Sequence, residues 1–332
     1  MQDRPAPDRN LALELCRTTE VAALGAARLM GKGDKEAADQ AAVDGMRTML
    51  ATVGIRGVVV IGEGEKDEAP MLYIGEEVGD GNGPEVDIAV DPIDGTTLLA
   101  NGMPNSIAVV AVAERHSMFY PPHIAYMEKL ATGPEAADEI DIERPIGENI
   151  QRVAKALSLK VGEVTVVILD RPRHAELIRD VRSTGARIKL IRDGDVAGAV
   201  VTAMPDTGIH VLAGIGGAPE AVIAACAMKS LGGNMHCRIW PRNDEEQRIV
   251  QEHGLDTTRV YGLDDLVSSD NVFFAATGIT DGELLRGVHY TRDGASTQSL
   301  VMRSRSGTVR IVDAQHRISK LSQYASVDFG WH

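Results

Sequence analysis

The amino-acid sequence predicts an α/β fold divided between two domains, with one large domain as the alternative. Short apolar runs alternate with stretches whose apolar residues recur at helical spacing, which is the pattern of βαβ units with parallel strands. Hydrophobic residues make up 44% of the 332 residues and aromatic residues only 4%, which favours a core of closely packed small aliphatic side chains. Several strand-like runs end in acidic or glycine-rich loops, and open α/β sheets bind ligands at such strand ends.

The first part of the chain predicts two helices followed by strands. Asn10 and Asp34 are the expected cap residues of the helices. The strand of residues 86–90 should lose its regular pairing at Pro92, because proline has no N–H group to donate. The predicted elements are helices from residue 10 to about 30 and from 34 to about 51, and strands at residues 57–61, 86–90 and 105–114.

The second part of the chain predicts alternating strands and helices. Residues 133–149 are acidic, contain Pro134 and Pro145 and show no periodic apolar face, so we interpret them as a linker. It would separate an amino-terminal α+β metal-binding domain, residues 1–145, from a carboxyl-terminal α/β substrate-binding domain, residues 146–332, whose last strands can return to the first domain. The predicted helices are 149–157, from about 175 to 183, 196–204 and from 219 to about 231, and the predicted strands are 164–169, 187–191, 210–213, 235–240, 271–276, 299–303 and 308–312.

The composition argues against several classes of function. A net charge of −14 at pH 7 disfavours a nucleic-acid-binding surface, although a local basic pocket for an anionic substrate is compatible with it. Three cysteines, none of them in a C-x-x-C pair, argue against a disulfide framework or a zinc site. No apolar run reaches the roughly 18–20 residues that a membrane span needs, so the sequence predicts a cytoplasmic protein with no membrane or nucleic-acid partner.

The chain is organised around residues 86–97, where a predicted strand runs into an Asp-Pro-Ile-Asp-Gly-Thr turn at residues 91–96. This turn presents the carboxylates of Asp91 and Asp94 and the hydroxyl of Thr96 at a strand end. Two close carboxylates repel each other unless a cation lies between them, and hard oxygen ligands suit Mg²⁺ or Mn²⁺. A solvated acidic turn is the alternative when this motif is considered alone.

Three further carboxylates stand at strand ends or on helices. Glu63 follows a predicted strand in a glycine-flanked acidic loop, and Glu220 comes directly after Pro219, at the positive end of a helix. Asp39 lies four residues after Lys35 on one helix face. For Glu63, the alternative is a solvated charged loop. For Lys35 and Asp39, the alternative is an exposed ion pair. All the acidic groups together indicate a site for divalent metal ions.

Positive charge is supplied by Arg171 and Arg173, which flank a proline that should hold the chain extended. Two such arginines can bind a phosphate bidentately, and a surface pair is the alternative. Glycine-rich turns at Gly194 and at residues 216–217 offer backbone N–H groups to an anion. The sequence therefore predicts a metal-dependent site for a phosphorylated small molecule with more than one anionic end.

The expected chemistry is phosphoryl transfer, in which two or more Mg²⁺ ions about 4 Å apart support an in-line displacement. Thr96 is the candidate to orient the attacking water. No dinucleotide-binding fingerprint and no Walker A motif occur, and nothing indicates a Ser/His nucleophile. His174 and His210 are interpreted as packing or surface residues.

The hexapeptide at residues 91–96 resembles the signature of the lithium-sensitive, metal-dependent sugar and inositol phosphatase superfamily. More specific motifs resemble class II fructose-1,6-bisphosphatases, the bacterial GlpX type, and the resemblance extends from about residue 10 to residue 312. These motifs are residues 62–72 (Gly-Glu-Gly-Glu-Lys-Asp-Glu-Ala-Pro-Met-Leu), 126–130 (Tyr-Met-Glu-Lys-Leu), 170–174 (Asp-Arg-Pro-Arg-His), 192–195 (Arg-Asp-Gly-Asp) and 214–220 (Gly-Ile-Gly-Gly-Ala-Pro-Glu).

The resemblance implies a layered α/β/α/β/α sugar-phosphatase sandwich of two domains. It also implies hydrolysis of the 1-phosphate of fructose 1,6-bisphosphate in gluconeogenesis, with Mn²⁺ or Mg²⁺, by a homodimer or homotetramer. Carried over position by position, it assigns Asp39 and Glu63 to one metal ion and Asp91, Asp94 and Glu220 to a second. The residues it assigns to the substrate are Asp94, Gly95, Thr96, Tyr126, Arg171, Pro172, Arg173, Asp193, Gly194, Asp195 and Gly217, and the catalytic residues are Thr96, Asp91, Glu63 and Lys35.

Several alternatives remain open at the level of sequence. Activity on sedoheptulose 1,7-bisphosphate is one, because the two arginines can reach either sugar length. An inositol phosphatase is disfavoured, because Gly64 separates Glu63 from Glu65 where those enzymes place two adjacent glutamates. A haloacid-dehalogenase phosphatase would need D-x-D-G-T, and here two residues separate Asp91 from Asp94. A metal or sugar-phosphate sensor without enzymatic activity is the last alternative.

Overall fold

Two β-sheets and the helices packed on them confirm the α/β class. A computed structural model describes residues 10–64, 71–119 and 124–325. Residues 65–70 of the acidic loop, as well as Tyr120 and Trp331, lie outside the described residues. Among the described helices, none combines the length and the apolar character that crossing a membrane requires.

The helix starts follow the caps that the sequence displays. Asn10 Oδ1 accepts a hydrogen bond from the Ala12 N–H at 3.1 Å, and Asp34 Oδ1 accepts one from the Ala37 N–H at 3.0 Å. Both bonds satisfy backbone donors that a helix terminus leaves free. The described α-helices are α1 (Ala12–Ala27), α2 (Lys35–Leu50), α3 (Thr96–Ala100), α4 (Ile146–Ala156), α5 (Ala175–Ser183), α6 (Asp195–Val200), α7 (Ala218–Leu231), α8 (Asp244–Glu252), α9 (Leu263–Leu266) and α10 (Ile318–Ala325).

The strands form one large and one smaller mixed sheet. They are β1 (Arg56–Ile61), β2 (Glu77–Val78), β3 (Glu85–Asp94), β4 (Ile107–Glu114), β5 (Tyr126–Thr132), β6 (Thr165–Leu169), β7 (Arg187–Ile191), β8 (Val211–Gly217), β9 (Asn234–Ile239), β10 (Phe273–Gly278), β11 (His289–Tyr290), β12 (Ala295–Arg303) and β13 (Thr308–His316). The first sheet has the order β11-β12-β10-β4-β3-β1-β2, with β13 also paired to β12, and the second has the order β7-β6-β8-β5-β9. Parallel pairs are β1 with β3, and β6 with both β7 and β8.

Three hydrophobic clusters show that the elements stack in five layers. Helices α1 and α2 pack on one face of the first sheet. Helices α6 and α7 lie between the other face of that sheet and the second sheet. Helices α4 and α5 cover the remaining face of the second sheet. This stacking is the α/β/α/β/α order that the resemblance implied.

The chain changes sheet earlier than the predicted linker. Strand β4 belongs to the first sheet and β5 to the second, and the chain returns to the first sheet with β10. Within the segment interpreted as a linker, Ile140 and Ile142 are buried in the core beside the second sheet. Where the chain divides into folding units, at residue 145 or elsewhere, stays a prediction.

The predicted loss of regular pairing at Pro92 is confirmed, because the pairing of β3 with β4 skips from Asp91 to Asp94, although the strand itself extends to Asp94. Three other local features differ from the predictions. Strand β5 was not predicted, since its sequence mixes charged and apolar residues. The glycine-rich run at residues 214–217 belongs to β8 and pairs with β5 instead of forming a turn. Pro172 opens a 3₁₀ turn, Pro172–His174, so the chain between the two arginines is not extended.

Candidate active site

A pocket of about 570 Å³ lies where the strand ends of both sheets meet. In the first sheet, Ile61 of β1 pairs in parallel with Ala89 of β3. Parallel neighbours end at the same edge of a sheet, so Glu63, which follows β1, lies beside Asp91 and Asp94 at the end of β3. A side chain at Gly62 would overlap the Leu72 carbonyl, so the turn that places Glu63 requires glycine at this position.

The second sheet contributes its strand ends from the other side of the pocket. Because β6 is parallel to both β7 and β8, the loops that follow these strands share one edge. They carry Arg171 and Arg173 after β6, Asp193 after β7 and Glu220 after β8. The βαβ units thus place these side chains after strand ends, around one pocket.

Two antiparallel strands complete the same edge. Tyr126, the first residue of β5, pairs with Gly217, the last residue of β8. Strand β9 runs antiparallel to β5, and the Trp240 N–H donates to the Tyr126 carbonyl at 3.0 Å. Arg242, which comes two residues later, therefore reaches the pocket beside Tyr126.

One end of the pocket is strongly acidic. Burial raises the pKa of Asp91 well above its ordinary value, and the charges of Asp94, Glu220 and Glu63 raise it further. Burial and then the charge of Asp195 likewise raise the pKa of Asp94. Asp91 and Glu220 are each partly accessible from the pocket. Carboxylates in this arrangement are ionised together only when a cation offsets their repulsion.

Glu63, Asp39 and Thr96 form a second acidic group next to the first. Desolvation by the surrounding chain, and after it the charge of Asp39, raises the pKa of Glu63 to about 7. The Thr96 hydroxyl donates to Asp39 Oδ1 at 3.3 Å and to the Ile93 carbonyl at 3.2 Å. The carboxylate of Asp39, which lies on α2, is thus linked to the pocket by the hydroxyl of Thr96.

The acidic end has features that fit divalent metal ions. Glu220 Oε2 is buried and accepts no hydrogen bond from any part of the chain that the structure describes. A side chain at Gly217 would overlap this oxygen, so the glycine leaves room for the carboxylate to fold back over the end of β8. The donors are hard oxygen atoms, as Mg²⁺ and Mn²⁺ prefer.

These carboxylates do not form a ready-made metal cage. Within residues 10–64, 71–119 and 124–325, no three His, Cys, Asp or Glu side chains are arranged to hold one ion together. Asp91 Oδ1 accepts from the Ile93 N–H at 3.1 Å, and Asp94 Oδ2 accepts from the Ala197 N–H at 3.2 Å. Both carboxylates are therefore engaged by backbone amides, and the assignment of Asp91, Asp94 and Glu220 to one ion stays a prediction.

Another part of the pocket is basic and aromatic. The guanidinium carbon of Arg173 lies 5.3 Å from the ring centre of Tyr126, and that of Arg242 lies 4.7 Å from it. Arg173 also donates from Nη2 to the Ile215 carbonyl at 2.7 Å. Arg171 Nη2 is 3.8 Å from Asp193 Oδ1. An anionic group of a ligand would thus meet several guanidinium groups at this end.

A buried ion pair lies beneath the pocket. Lys129 Nζ donates to Asp195 Oδ2 at 2.6 Å, and both side chains are almost fully buried. The charge of Lys129 also lowers the pKa of Glu220, although burial and Asp195 raise it more. Asp195, which was predicted to contact substrate, is thus bound to Lys129. The ammonium group of Lys129 places a positive charge among the carboxylates.

Most residues predicted for the site line the pocket. Those that line it are Glu63, Asp91, Asp94, Gly95, Thr96, Tyr126, Arg171, Arg173, Asp193, Asp195, Gly217 and Glu220. Asp39 stands behind Thr96, and Lys35 donates from Nζ to Thr97 Oγ1 at 2.9 Å. Pro172 shapes the turn that carries the arginines, and Gly194 lies next to Asp94.

Two residues of the site were missed by the sequence analysis. Arg242 follows the predicted strand of residues 235–240, so a search for cations at strand ends would have found it. Lys129 gave no such signal, because it lies inside β5, the strand that was not predicted.

Several known proteins are similar to this chain over nearly its whole length. Residues 9–316 match the model of a family described as bacterial fructose-1,6-bisphosphatase, glpX-encoded. A class 2 fructose-1,6-bisphosphatase 1 of Escherichia coli strain K12 is 46% identical over 325 residues, which cover 94% of this chain and 96% of that protein. A D-fructose 1,6-bisphosphatase class 2/sedoheptulose 1,7-bisphosphatase of a Synechococcus species is 45% identical over 334 residues, which cover 93% and 96% of the two chains.

Proposed function

Because the chain belongs to the family of glpX-encoded bacterial fructose-1,6-bisphosphatases, we propose that it hydrolyses the 1-phosphate of fructose 1,6-bisphosphate. The products are fructose 6-phosphate and inorganic phosphate, which places the reaction in gluconeogenesis. This is the function that best explains why one pocket has an acidic end and a basic end.

The single observation that carries the proposal is this division of charge. The carboxylates of Asp91, Asp94 and Glu220 lie in one part of the pocket, where burial and then neighbouring carboxylates raise the pKa of Asp91 and of Asp94, and guanidinium groups line another part. A bisphosphate has two anionic groups that need different treatment. The ester to be cleaved belongs with the metal-binding carboxylates, and the phosphate that remains belongs with the arginines.

The metal ions of the proposal are Mn²⁺ or Mg²⁺, two or more of them. Asp39 and Glu63 are proposed to hold one ion, and Asp91, Asp94 and Glu220 a second. When bound, such ions neutralise the charge that develops on the phosphoryl oxygens and lower the pKa of coordinated water. The buried Oε2 of Glu220, which accepts no hydrogen bond from the described residues, supports a role of this carboxylate in binding metal.

Thr96 is proposed to orient the attacking water. Its hydroxyl donates its own hydrogen toward Asp39 and the Ile93 carbonyl, which leaves the oxygen lone pairs to accept a hydrogen from water. A water held in this way has an oxygen lone pair directed away from Thr96, toward the phosphorus of a bound ester. Burial raises the pKa of Asp39, and the hydrogen bond from Thr96 and the charge of Lys35, one turn away on α2, act in the opposite direction.

The test is phosphate release from a panel of sugar bisphosphates and inositol phosphates, measured with each metal and after removal of metal by a chelator. We expect strong preference for fructose 1,6-bisphosphate, no turnover without metal, and recovery when Mn²⁺ or Mg²⁺ is added. Turnover that survives complete chelation, or preference for an inositol phosphate, would contradict the proposal.

Sedoheptulose 1,7-bisphosphate is the second candidate substrate. The name of the Synechococcus relative includes activity on both sugars, and the same panel shows whether this chain shares it. A phospho-aspartate trapped on Asp91 would instead support the haloacid-dehalogenase mechanism. Family resemblance further supports a homodimer or homotetramer, which the molar mass in solution tests.

A further inference from the structure

Arg242 is a charged residue of the pocket to which the sequence motifs assign no role. It follows β9 and lines the same cavity as Tyr126, Arg171 and Arg173. Its side chain is 49% exposed, so the guanidinium group lies at the mouth of the pocket, where it is accessible to a ligand.

Tyr126 brings Arg242 and Arg173 together. Both guanidinium carbons lie within 5.3 Å of the centre of the same ring, and Trp240 packs edge-on against that ring with 6.4 Å between ring centres. Arginine is well suited to stacking on an aromatic ring while its N–H groups remain available to an anion. Trp240 therefore helps to fix the aromatic ring on which both arginines depend.

The three arginines lie close enough for their charges to influence one another. After burial, the neighbouring charges of Arg171 and Arg242 further lower the pKa of Arg173, while Tyr126 and Asp195 act in the opposite direction. Like charges held together repel each other, and a bound anion relieves the repulsion. The acidic end of the pocket needs cations for the same reason.

Glu246 holds Arg242 in this place. The Arg242 backbone N–H donates to Glu246 Oε2 at 2.7 Å, and its Nε donates to Glu246 Oε1 at 2.6 Å. Glu246 is the residue whose backbone is bound by the Asn243 side chain at the start of α8. The side chain of Arg242 is thus fixed to a capped helix rather than left free in solvent.

We propose that Arg242 is a third phosphate-binding arginine, which acts with Arg173 on the phosphate that is not hydrolysed. This inference rests on the proposed function and adds to it a residue that determines preference for a bisphosphate. Each guanidinium can donate to different oxygens of one phosphate, with the ring of Tyr126 between them. Arg242 touches the substrate far from the reacting atoms, so it should act on binding and not on the chemical step.

The experiment compares Arg242→Met with Arg248→Met. Arg248 lies on α8 and is exposed, with its Nε directed to the Asp244 carbonyl, so its loss removes the same charge outside the pocket. For Arg242→Met we expect KM for fructose 1,6-bisphosphate to rise by about 10-fold or more, as loss of a charge-assisted hydrogen bond implies. Its kcat should change less than threefold, which is roughly the scale of a surface substitution, and Arg248→Met should match the unsubstituted protein.

Fructose 6-phosphate binding, measured by calorimetry, isolates the phosphate in question, because this product lacks the other one. Its Kd should weaken in Arg242→Met by the same factor as KM, and Arg242→Lys, which keeps the charge but loses the planar fork, should be intermediate. An unchanged Kd and KM in Arg242→Met would overturn the inference while leaving the proposed function intact. Absence of phosphate release by the unsubstituted protein would instead reject the proposed function.

Discussion

Glu220 shows how single side chains are placed here for function at the expense of local stability. One of its oxygens is buried without a hydrogen bond from the described residues, and burial raises its pKa, with the positive charge of Lys129 acting in the opposite direction. A buried polar atom without a partner costs free energy. A ligand that binds only the folded protein offsets such a cost, so metal binding should stabilise this end of the pocket.

Thr96→Ala tests the role proposed for the hydroxyl. The substitution removes the donor to Asp39 and with it the group that orients water. We expect kcat to fall by between ~100-fold and ~10,000-fold, the range for loss of a positioned proton-transfer group, with the fold retained as judged by circular dichroism. Thr97→Ala, which removes only the acceptor of Lys35, should lose much less activity. Full turnover in Thr96→Ala would remove the proposed mechanism.

Glu20 predicts how the stability of the fold depends on pH. This buried carboxyl lies on α1, away from the pocket, and burial raises its pKa from 4.5 to about 7, although hydrogen bonds with Cys16 and Thr297 act in the opposite direction. The folded protein holds the proton of the Glu20 carboxyl more tightly than the unfolded chain does. The contribution of this group to the free energy of unfolding is therefore complete below pH 4.5 and is lost as the pH rises through 7.

Glu20→Gln should therefore be more stable than the unsubstituted protein above pH 7 and should lose that advantage near pH 4.5. Between these two pH limits, the difference in free energy of unfolding between the two proteins should change by at most about 3 kcal/mol, as the size of the pKa shift implies. Urea unfolding curves for both proteins at several pH values provide the measurement. If the two stability profiles run parallel, Glu20 does not titrate in this way.

At the scale of elements, His174 joins the arginine-bearing turn to β8. Its Nδ1 lies 2.6 Å from the Leu169 carbonyl, and its Nε2 accepts from the Ile215 N–H at 2.7 Å. This arrangement requires a neutral ring with hydrogen on Nδ1, and burial, with Arg173 and Arg171 nearby, lowers the pKa of His174 accordingly. The histidine interpreted as a packing residue is thus a connection between two strand ends of the pocket.

His174→Gln should loosen the turn and raise KM for fructose 1,6-bisphosphate by roughly 3- to 10-fold, the effect of losing one net hydrogen bond, with a smaller change in kcat. His210→Gln is the matched control, because His210 Nδ1 accepts from the Thr165 N–H at 3.0 Å at the opposite end of β6. Both variants should lose comparable stability, but only His174→Gln should change KM. Equal KM values in the two variants would leave His174 with a purely structural role.

The elements also show how far sequence reasoning reaches in this chain. Strands such as β1 and β6 have continuous apolar runs between turn residues, so local pattern was sufficient. Strand β5 was not predicted from the sequence, because Glu128 and Lys129 interrupt its apolar pattern. Only tertiary structure explains them: Lys129 pairs with Asp195, and Glu128 pairs with Arg238 of the neighbouring β9.

For the whole molecule, two sheets in separate layers turn their strand ends toward one pocket. This arrangement places carboxylates from the first sheet opposite arginines from the second, although long stretches of chain separate them. The acidic residues could be predicted because each follows a strand or opens a helix. Their mutual distances could not, since those depend on the parallel pairing of β1 with β3 and on the stacking of the layers around α7.

The most direct test is an anomalous difference map from crystals soaked in Mn²⁺. We expect at least two manganese peaks about 4 Å apart, one bound by Asp39 and Glu63 and the other by Asp91, Asp94 and Glu220, with the arginine end of the pocket free of metal. Peaks confined to other parts of the surface, or an acidic end that stays without manganese at saturating concentration, would contradict the account.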